Sequence, residues 1–354
     1  MKYGVPILDA ASYKCTFIQS FGPGFSTAVH TFITRALVDD EEVEEKILPL
    51  VEKGKELKFS FTDLHESDNT PTQTHIVYST LLESTRRDGK RENQFTVVSV
   101  EKRMLWHAVP KTRFFRAEDA LSIISQIAGE YGMGISESME PCPLPLEFQS
   151  LIQAQITDHE FITGRLQSRS PGDFRIFTTD GDKVGWSTLA YKADKPAIFY
   201  PEDILSVADS GDSFDTVIRG GDSLKIEAFD PFTKRSLSST SSGAPVELST
   251  QKPLHHGGRE MWYPLRSQEA TDVWAKSWQK RAAWGYGYAI HIRGVFGIGE
   301  EKKKIEPNLR VSLKGTMYRK HDEQVGLVVQ VKHEYFASAY KITLYCVSNA
   351  ASYP

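Results

Sequence analysis

The 354-residue chain has no long run of apolar residues. A membrane-spanning helix needs about 20 consecutive, mostly apolar residues, and no window of this sequence approaches that length. Residues Met1 to Tyr13 also lack a basic stretch followed by an apolar core, so the sequence predicts no secretory signal. We therefore expect a protein that is made in a cytoplasm and does not insert into a membrane.

Cysteine is scarce, and basic residues are not in excess. The three cysteines, Cys15, Cys142 and Cys346, lie far apart, which predicts buried free thiols and no disulfide framework or zinc site. Lys and Arg number 42 against 46 Asp and Glu, for a formal net charge of −4. Since duplex-binding surfaces are basic, this balance argues against specific nucleic-acid binding.

Motifs of catalysis and ligand binding are also missing. The stretch 24–28, around Ser26, lacks the second glycine of a serine-nucleophile elbow. The His255-His256 pair and the His321-Asp322-Glu323 run do not have the spacing that places metal ligands on one helix face. An acidic group also lacks the spacing of a calcium-binding loop: Asp209, Asp212, Asp215 and Asp222. We predict no catalytic residue, no cofactor-binding residue and no metal ligand.

Strand patterns dominate what is present. Hydrophobic and polar residues alternate with a period of two in segments 57–61, 224–228, 309–313 and 340–346. Denser β-branched and aromatic runs at 75–82, 95–100 and 325–331 predict inner strands. Asp-Gly pairs within 87–90 and 180–182 predict hairpin turns. The pattern predicts a mainly β protein with α+β parts, and a chain of this length usually forms two or three domains.

Helical periodicity is restricted to a few segments. Residues 117–128 and 267–283 carry an apolar face with capping signals, and 158–166 predicts a shorter helix. The acidic stretch 39–46 could begin a helix that Pro49 would limit. The Ser/Thr-rich stretch 236–250 predicts a long exposed connection.

Two pairs of these alternating segments resemble each other weakly, and we call this resemblance the sequence echo. Residues 57–61 (LKFSF) resemble 309–313 (LRVSL), and 96–100 resemble 327–331 farther along. Because any two amphipathic strands share such features, the echo alone leaves open whether the chain contains two related β units or two unrelated ones.

The order of segments resembles the baseplate hub family of contractile injection machines. That family includes phage late-control D proteins and the N-terminal hub part of type VI secretion spike proteins. No single motif is specific; the order and spacing carry the resemblance, and residues 1–50 match only in general strand character. The matching segments are LVEKGKELKF at 50–59, FFRAEDAL at 114–121, QITDHEFI at 155–162, AFDPFTKR at 228–235, and 270–281, 315–333 and 340–345.

The resemblance implies a complete architecture. It implies tube-like β-barrel domains at 1–113 and 206–354, the latter including a linking helix at 267–283, and a mixed α/β peripheral domain at 114–205. It further implies a structural, non-enzymatic hub in the virion tail baseplate, in which three chains form a ring of pseudo-sixfold symmetry that joins the tail tube to a separate trimeric spike. DNA or effector would pass through the ring. The implied partners are the chain itself, the spike, the tail tube and, further, the tape-measure protein and other baseplate subunits.

Two other functions remain open from the sequence. A tail-associated cell-wall hydrolase would need a catalytic pair that the sequence does not reveal. A carbohydrate-binding tail module could use aromatic residues, which make up 11% of the chain, as sugar platforms.

Overall fold

Strands make up most of the chain in a computed structural model. The structure describes residues 13–20, 24–33, 45, 47–60, 72–87, 90–137, 139–144, 149–167, 175–187, 196–212, 223–230, 233–242, 258–262, 267–282, 286–293, 297–298, 303–315, 325–336 and 339–348. The prediction of a mainly β protein with α+β parts is confirmed. The tube-like barrels and the domain boundaries at 113 and 205 stay predictions.

The N-terminal β unit is an antiparallel sheet with the strand order β1-β2-β5-β4-β3. Alternate residues of these strands point into an apolar core that contains Phe17, Phe32, Phe59 and Phe95. The strands that flank the predicted turn at 87–90 pair as far as Arg87↔Lys90, and the turn residues Asp88 and Gly89 lie outside the described residues. The strands are β1 (Lys14–Ser20), β2 (Thr27–Ile33), β3 (Glu56–Phe59), β4 (Gln73–Arg87) and β5 (Lys90–Glu101).

A mixed unit follows, with its own core around Trp106, Phe161 and Trp186. Asp119 caps its main helix by accepting a hydrogen bond from Leu121 N at 2.8 Å. The predicted helices and the hairpin at 180–182 are confirmed, with shifted ends. The elements are β6 (Lys111–Arg116), α1 (Ala120–Glu130), β7 (Gly134–Ile135), β8 (Ser150–Ile156), α2 (Asp158–Glu160), which continues as a π-helical segment (Phe161–Leu166), β9 (Ile176–Asp180) and β10 (Lys183–Ser187).

The C-terminal part contains a second β unit and a small separate layer. Strands β13, β14 and β15 form that layer, against which α3 packs. The elements are β11 (Ala197–Phe199), β12 (Ile204–Asp212), β13 (Ser223–Asp230), β14 (Arg235–Ser242), β15 (Gly258–Trp262), α3 (Gln268–Ala282), β16 (Tyr286–Arg293), β17 (Gly297–Ile298), β18 (Lys303–Lys304), β19 (Arg310–Leu313), β20 (Val325–Phe336) and β21 (Ala339–Ser348).

One expectation fails in this layer. The stretch 236–250 was expected to be an exposed connection, yet residues 236–242 belong to β14, which pairs with β13 along its full length. The Ser/Thr-rich composition does not prevent strand formation here, because every residue of β14 has a paired residue in β13. Leu237 also packs against the small core below α3. Residues 243–250 lie outside the described residues, as does the stretch 39–46 apart from Glu45.

The two β units have the same strand connectivity. The first follows the order β1-β2-β5-β4-β3 and the second the order β12-β16-β21-β20-β19, with every neighbouring pair antiparallel. The second unit also carries β11, parallel to β19. In sequence order, β1 to β5 therefore correspond to β12, β16, β19, β20 and β21. This correspondence supports two related units more directly than the sequence echo does.

Local details repeat as well. Gly54 and Asn308 both adopt positive φ, at 89° and 76°, just before the third strand of their units. Gly54 N donates to Val77 O at 2.9 Å, and Asn308 N donates to Val328 O at 2.8 Å. A bulge follows Val77 in β4 and Val328 in β20. The shared turn, hydrogen bond and bulge place Val77 and Val328 at equivalent positions.

These equivalences correct the sequence echo in detail. The ladder aligns Leu57 with Val311, two residues from the alignment suggested by the echo. A shift of two preserves the buried face of a strand, which explains why the pattern was visible. The second echo paired 96–100 with 327–331, but β5 corresponds to β21 and not to β20.

The two units are joined in one sheet, because β1 pairs antiparallel with β20 from Lys14↔Phe336 to Ser20↔Gln330. The resulting sheet has eleven strands. We call the β1–β20 pairing the seam.

The hairpin between β9 and β10 contacts the first β unit and gives a test of the fold. Gly181 has φ of 63°, and a Cβ there would meet Thr72 O at 2.9 Å. We expect Gly181→Ala to cost about 2–3 kcal/mol, from positive-φ strain and the backbone clash together. Gly315 has the same φ but open space around its Cβ position, so Gly315→Ala should cost only about 1 kcal/mol. Urea unfolding monitored by tryptophan fluorescence would measure both, and equal losses would contradict the predicted clash.

Candidate functional surface

One face of the sheet is accessible across seven of its eleven strands. A register row crosses seven strands through both units: Arg293, Lys341, Glu334, Thr16, Val29, Val98 and Ser79. Each of these residues is exposed or half-buried. A neighbouring row contains Lys14, Thr31, Thr96 and Leu81, of which Leu81 is 55% exposed. We call these two rows the open face.

The side chains of the open face are mostly uncharged. Most of its residues are Ser, Thr, Val or Leu, and its charges are scattered and partly compensated. The Lys332 ammonium lies 2.8 Å from the Glu334 carboxylate, and Lys341 pairs directly across from Glu334. Such a surface offers neither the concave pocket of a small-molecule site nor the dense basic stripe of a nucleic-acid site.

The opposite face of the seam buries an aromatic and histidine cluster. Phe17 stacks on His333 with ring centroids 5.4 Å apart. His333 Nδ1 lies 2.8 Å from the Tyr340 hydroxyl and His333 Nε2 lies 3.3 Å from Gln19 Oε1. Burial lowers the pKa of His333 to about 3, so the ring is neutral at pH 7. The contact between the two β units therefore depends on an uncharged imidazole.

Two more histidines are buried in the first unit. Ser99 Oγ lies 3.2 Å from both His30 Nε2 and His75 Nδ1, and His30 Nδ1 lies 2.8 Å from the Tyr13 hydroxyl. Burial lowers the pKa of His30 to about 3, with a further decrease from the neighbouring His75. Burial likewise lowers the pKa of His75 to about 3. This set resembles a proton relay, but all four of its side chains are buried beside the apolar core of the first unit.

A buried ion pair joins the first unit to the mixed unit. Arg103 Nε donates to Glu101 Oε1 at 2.6 Å, and both side chains are 1% exposed. The guanidinium also donates to Gly24 O at 2.5 Å and lies over Phe177 at 4.5 Å from the ring centroid. These contacts anchor the start of β2 against β9, and they give Arg103 a structural role.

A second polar cluster lies within the mixed unit. Asp158 is fully buried and accepts hydrogen bonds from Lys111 at 2.9 Å, Tyr131 at 2.7 Å, Gln153 at 2.9 Å and Arg113. Burial would raise the pKa of Asp158, but these donors outweigh it and leave the pKa below its usual value. The cluster ties β6, β8 and α1 to the start of α2.

Few of the residues singled out in the sequence fall within the described ranges, and those that do lie apart from one another. Ser26 is buried just before β2, and its backbone carbonyl accepts a hydrogen bond from Glu101 N. Asp209 and Asp212 lie in β12, whereas the His255 and His321 groups, Asp215 and Asp222 lie outside the described residues. Within the described ranges, no group of three or more His, Cys, Asp or Glu residues is placed to hold a metal ion.

Other sequence-based expectations have mixed outcomes. All three cysteines are buried free thiols, as predicted, and burial raises the pKa of Cys15 to about 12. Trp106, Trp186 and Trp274 are buried as core anchors. In the described part of the chain, no helix is both long and apolar enough to cross a bilayer. The buried histidines were not predicted, because their position on alternating strands does not by itself show whether their side chains are buried.

At each end of the sheet, one strand has an edge that no other described strand pairs with. Beyond its bulge, β20 pairs with β21 on one side and with β1 on the other. The equivalent stretch of β4 begins at Ser79 and pairs with β5 on one side. On its other side, no described strand pairs with it. Likewise β1 pairs with both β2 and β20, while its counterpart β12 pairs only with β16 among the described strands. Each free edge is thus the counterpart of one side of the seam.

No family model matches the sequence, and no curated protein matches it. Solved structures do match. A tail protein from Neisseria meningitidis has a TM-score of 0.63 and 11% identity over 96% of this chain and 92% of that chain. The 43 kDa tail protein of prophage MuSo2 from Shewanella oneidensis has a TM-score of 0.63 and 11% identity over 96% of this chain and 94% of that chain.

A third similar structure comes from a secretion machine. It is an Escherichia coli component of the type VI secretion system, described as structurally similar to bacteriophage T4 tail proteins. Its TM-score is 0.54 at 11% identity, over 99% of this chain and 78% of that chain. At these identities the likeness is one of fold. The chain therefore has a fold that is shared by phage tail proteins and by a component of the type VI secretion system.

Proposed function

We propose that this chain is a structural hub subunit in the baseplate of a phage tail or a related contractile injection machine. Three copies would form a ring of six similar β units, which joins a sixfold tail tube to a threefold spike. The fold shared with tail proteins and a type VI secretion component supports the setting. The observation that carries the proposal is the repeated connectivity of the two β units together with their complementary free edges.

The pairing at the seam suggests how neighbouring copies of the chain would contact each other. Within one chain, β1 of the first unit pairs with β20 of the second. Because β12 corresponds to β1 and β4 to β20, the same contact between copies would pair β12 of one chain with the free edge of β4 in the next. Such a head-to-tail contact is heterologous, and it closes into a ring when the rotation permits. A closed ring also removes both exposed sheet edges, which are otherwise liable to unwanted pairing.

The open face would line the central channel of that ring. Its short, mostly uncharged side chains offer no strong retention site for a passing polymer, since tight phosphate binding requires many Lys and Arg contacts. The passage of DNA or effector, and contacts with the spike, the tube and the tape-measure protein, belong to this proposal. The role is structural, carried by symmetry and not by a catalytic group.

The seam rule predicts individual residue pairs between copies. Thr16 pairs with Glu334 in the seam. The equivalent residues are Ala208 in β12 and Glu83 in β4, both exposed in the single chain. Ala208→Glu should therefore place two carboxylates opposite each other at every junction between copies and weaken the trimer. Adding Glu83→Lys should restore it, because the pair then carries opposite charges.

Native mass spectrometry and negative-stain imaging of the full chain would test this prediction. We expect a trimeric ring with a central hole for the wild-type chain, several-fold more monomer for Ala208→Glu, and recovery in the double variant. Glu83→Lys alone serves as the control, since it introduces no like-charge pair with Ala208. A chain that remains monomeric, or a trimer that is indifferent to these charges, would contradict the proposed ring.

A further inference from the structure

The small layer below α3 has a strand edge that a further strand could pair with. Its strands lie in the order β14-β13-β15, so β14 pairs with β13 on one side, and no other described strand pairs with it. The ladder covers all eight residues of β14 without a register shift, whereas bulges interrupt the ladders of β4 and β12. A regular edge presents a row of backbone donors and acceptors to another chain. We call this side of β14 the layer edge.

The composition of β14 does not protect the layer edge. Natural edge strands usually avoid further pairing through charged residues, Pro or bulges. After Arg235 the strand continues as SLSSTSS, which contains neither a charged residue nor a Pro. The side chains of Ser236, Ser238 and Thr240 are exposed, while Leu237 between them packs below α3. One face of β14 is therefore held by the helix, and its edge carries only small polar side chains.

A side-chain amide already bonds to one backbone acceptor of β14. Gln268, at the start of α3, donates through Nε2 to Ser238 O at 2.9 Å. In an antiparallel ladder, successive residues alternately bond to the partner strand and point both backbone groups away from it. The bond from Gln268 therefore indicates that Ser238 and Thr240 point their backbone groups away from β13. The Gln268 amide takes the place that a backbone N–H of an added strand would have.

Two cations lie at the beginning of the layer edge. Lys234 and Arg235 are both exposed. Antiparallel pairing is the more stable arrangement, and a strand added in this direction would end beside these two residues. Opposite charges on neighbouring strands stabilise the pairing and like charges destabilise it. The layer edge therefore favours a strand whose C-terminal end is acidic.

We propose that the layer edge is a docking site for an extended segment of another protein, which adds to β14 as an antiparallel strand and carries carboxylates at its C-terminal end. Backbone hydrogen bonds supply the affinity in this mode of recognition. Ser or Thr side chains of the added strand would fit beside Ser236, Ser238 and Thr240, since hydroxyl groups hydrogen-bond across strands. Because β14 is not part of the eleven-stranded sheet, the inference does not depend on the proposed ring.

A labelled eight-residue peptide of alternating Thr and Val that ends in Asp would test the inference, with binding to the full chain measured by fluorescence anisotropy. Two further peptides carry N-methyl groups at every second backbone amide, in one phase or in the other. We expect one phase to weaken binding at least about tenfold and the other to have little effect, because only alternate amides of an added strand face β14. Replacing the terminal Asp by Lys should weaken binding several-fold.

Variants of the chain locate the site. Thr240→Pro removes a backbone N–H that points away from β13, so it should leave the fold intact and weaken peptide binding at least about tenfold. Thr240→Ala keeps this N–H and should bind like the wild-type chain. Gln268→Ala releases the Ser238 carbonyl and should tighten binding several-fold. This second measurement decides the question even if Thr240→Pro does not fold.

The contrary outcomes are distinct. The docking site is wrong if neither the wild-type chain nor Gln268→Ala binds the peptide saturably, or if binding is indifferent to the phase of N-methylation. If native mass spectrometry shows a dimer that Thr240→Pro abolishes, a second copy and not another protein occupies the layer edge. The ring is tested separately through Ala208→Glu, so its failure would leave the peptide result unchanged.

Discussion

Stability should fall steeply as the solution is acidified from about pH 7.5 to about pH 5, before most carboxylates titrate. His30, His75 and His333 each have a folded-state pKa near 3, whereas the unfolded value is about 6.5. In this range the unfolded chain binds protons that the folded chain excludes, so lower pH favours unfolding. Linkage gives a loss of up to about 2 kcal/mol for each histidine, or about 6 kcal/mol for the three.

The sign of this dependence is fixed by burial. A depressed histidine pKa means that the fold stabilises the neutral ring. The contribution of the histidine to the free energy of unfolding is complete above about pH 6.5 and is lost progressively toward pH 3. A total of about 6 kcal/mol is comparable to the whole stability of many domains. We therefore expect denaturant midpoints to decrease strongly with acid, with the loss of pairing at the seam.

His333→Gln provides the sharpest measurement. At pH 7.5 the variant should be less stable than the wild-type chain, because the stack on Phe17 is lost. At pH 5 the difference in free energy of unfolding between the two proteins should be smaller by about 2 kcal/mol, because glutamine takes up no proton in the unfolded state. Denaturant unfolding at several pH values would measure this convergence. Parallel stability curves for the two proteins would show that His333 is not buried as a neutral ring.

The local features of this fold could be predicted from the sequence. Dense β-branched and aromatic runs indicated inner strands such as β5 and β20, and the Asp-Gly pair at 180–181 marked the turn between β9 and β10. Capping residues marked the helices: Ser267 Oγ accepts from Ala270 N at 3.1 Å, as expected for the start of α3. Each of these signals is confined to a few neighbouring residues.

The seam could not be predicted from the sequence. Lys14 and Phe336 are neighbours in the sheet, yet nothing near either residue specifies the other. Strand pairing over such a distance depends on the register and the packing of whole units. The same limit applies to the buried histidines, because a histidine on an alternating strand looks alike whether its neighbours are Phe17 and Tyr340 or solvent. Connectivity, and not any motif, revealed the repeated unit.

Removal of the Asp158 carboxylate should be the most damaging single truncation in the mixed unit. Asp158→Ala would leave Lys111 and Arg113 without their buried partner, and the hydroxyl of Tyr131 without its acceptor. Breaking a buried charge pair from one side typically costs about 3–5 kcal/mol, because the remaining charges and donors stay desolvated. Asp158→Asn should cost less, since its amide oxygen can still accept hydrogen bonds.

Glu130 supplies the matched control, because its carboxylate contacts the same two cations from the surface. Glu130 lies 2.8 Å from Lys111 and also pairs with Arg113, but its side chain is 35% exposed. An exposed ion pair contributes about 0–1 kcal/mol, so Glu130→Ala should have a small effect. Urea unfolding followed through the buried Trp106 and Trp186 would report directly on this unit. Equal losses in the free energy of unfolding for Asp158→Ala and Glu130→Ala would mean that the burial of a carboxylate does not determine its effect on stability. In that case Asp158 would not be the residue that holds β6, β8 and α2 together.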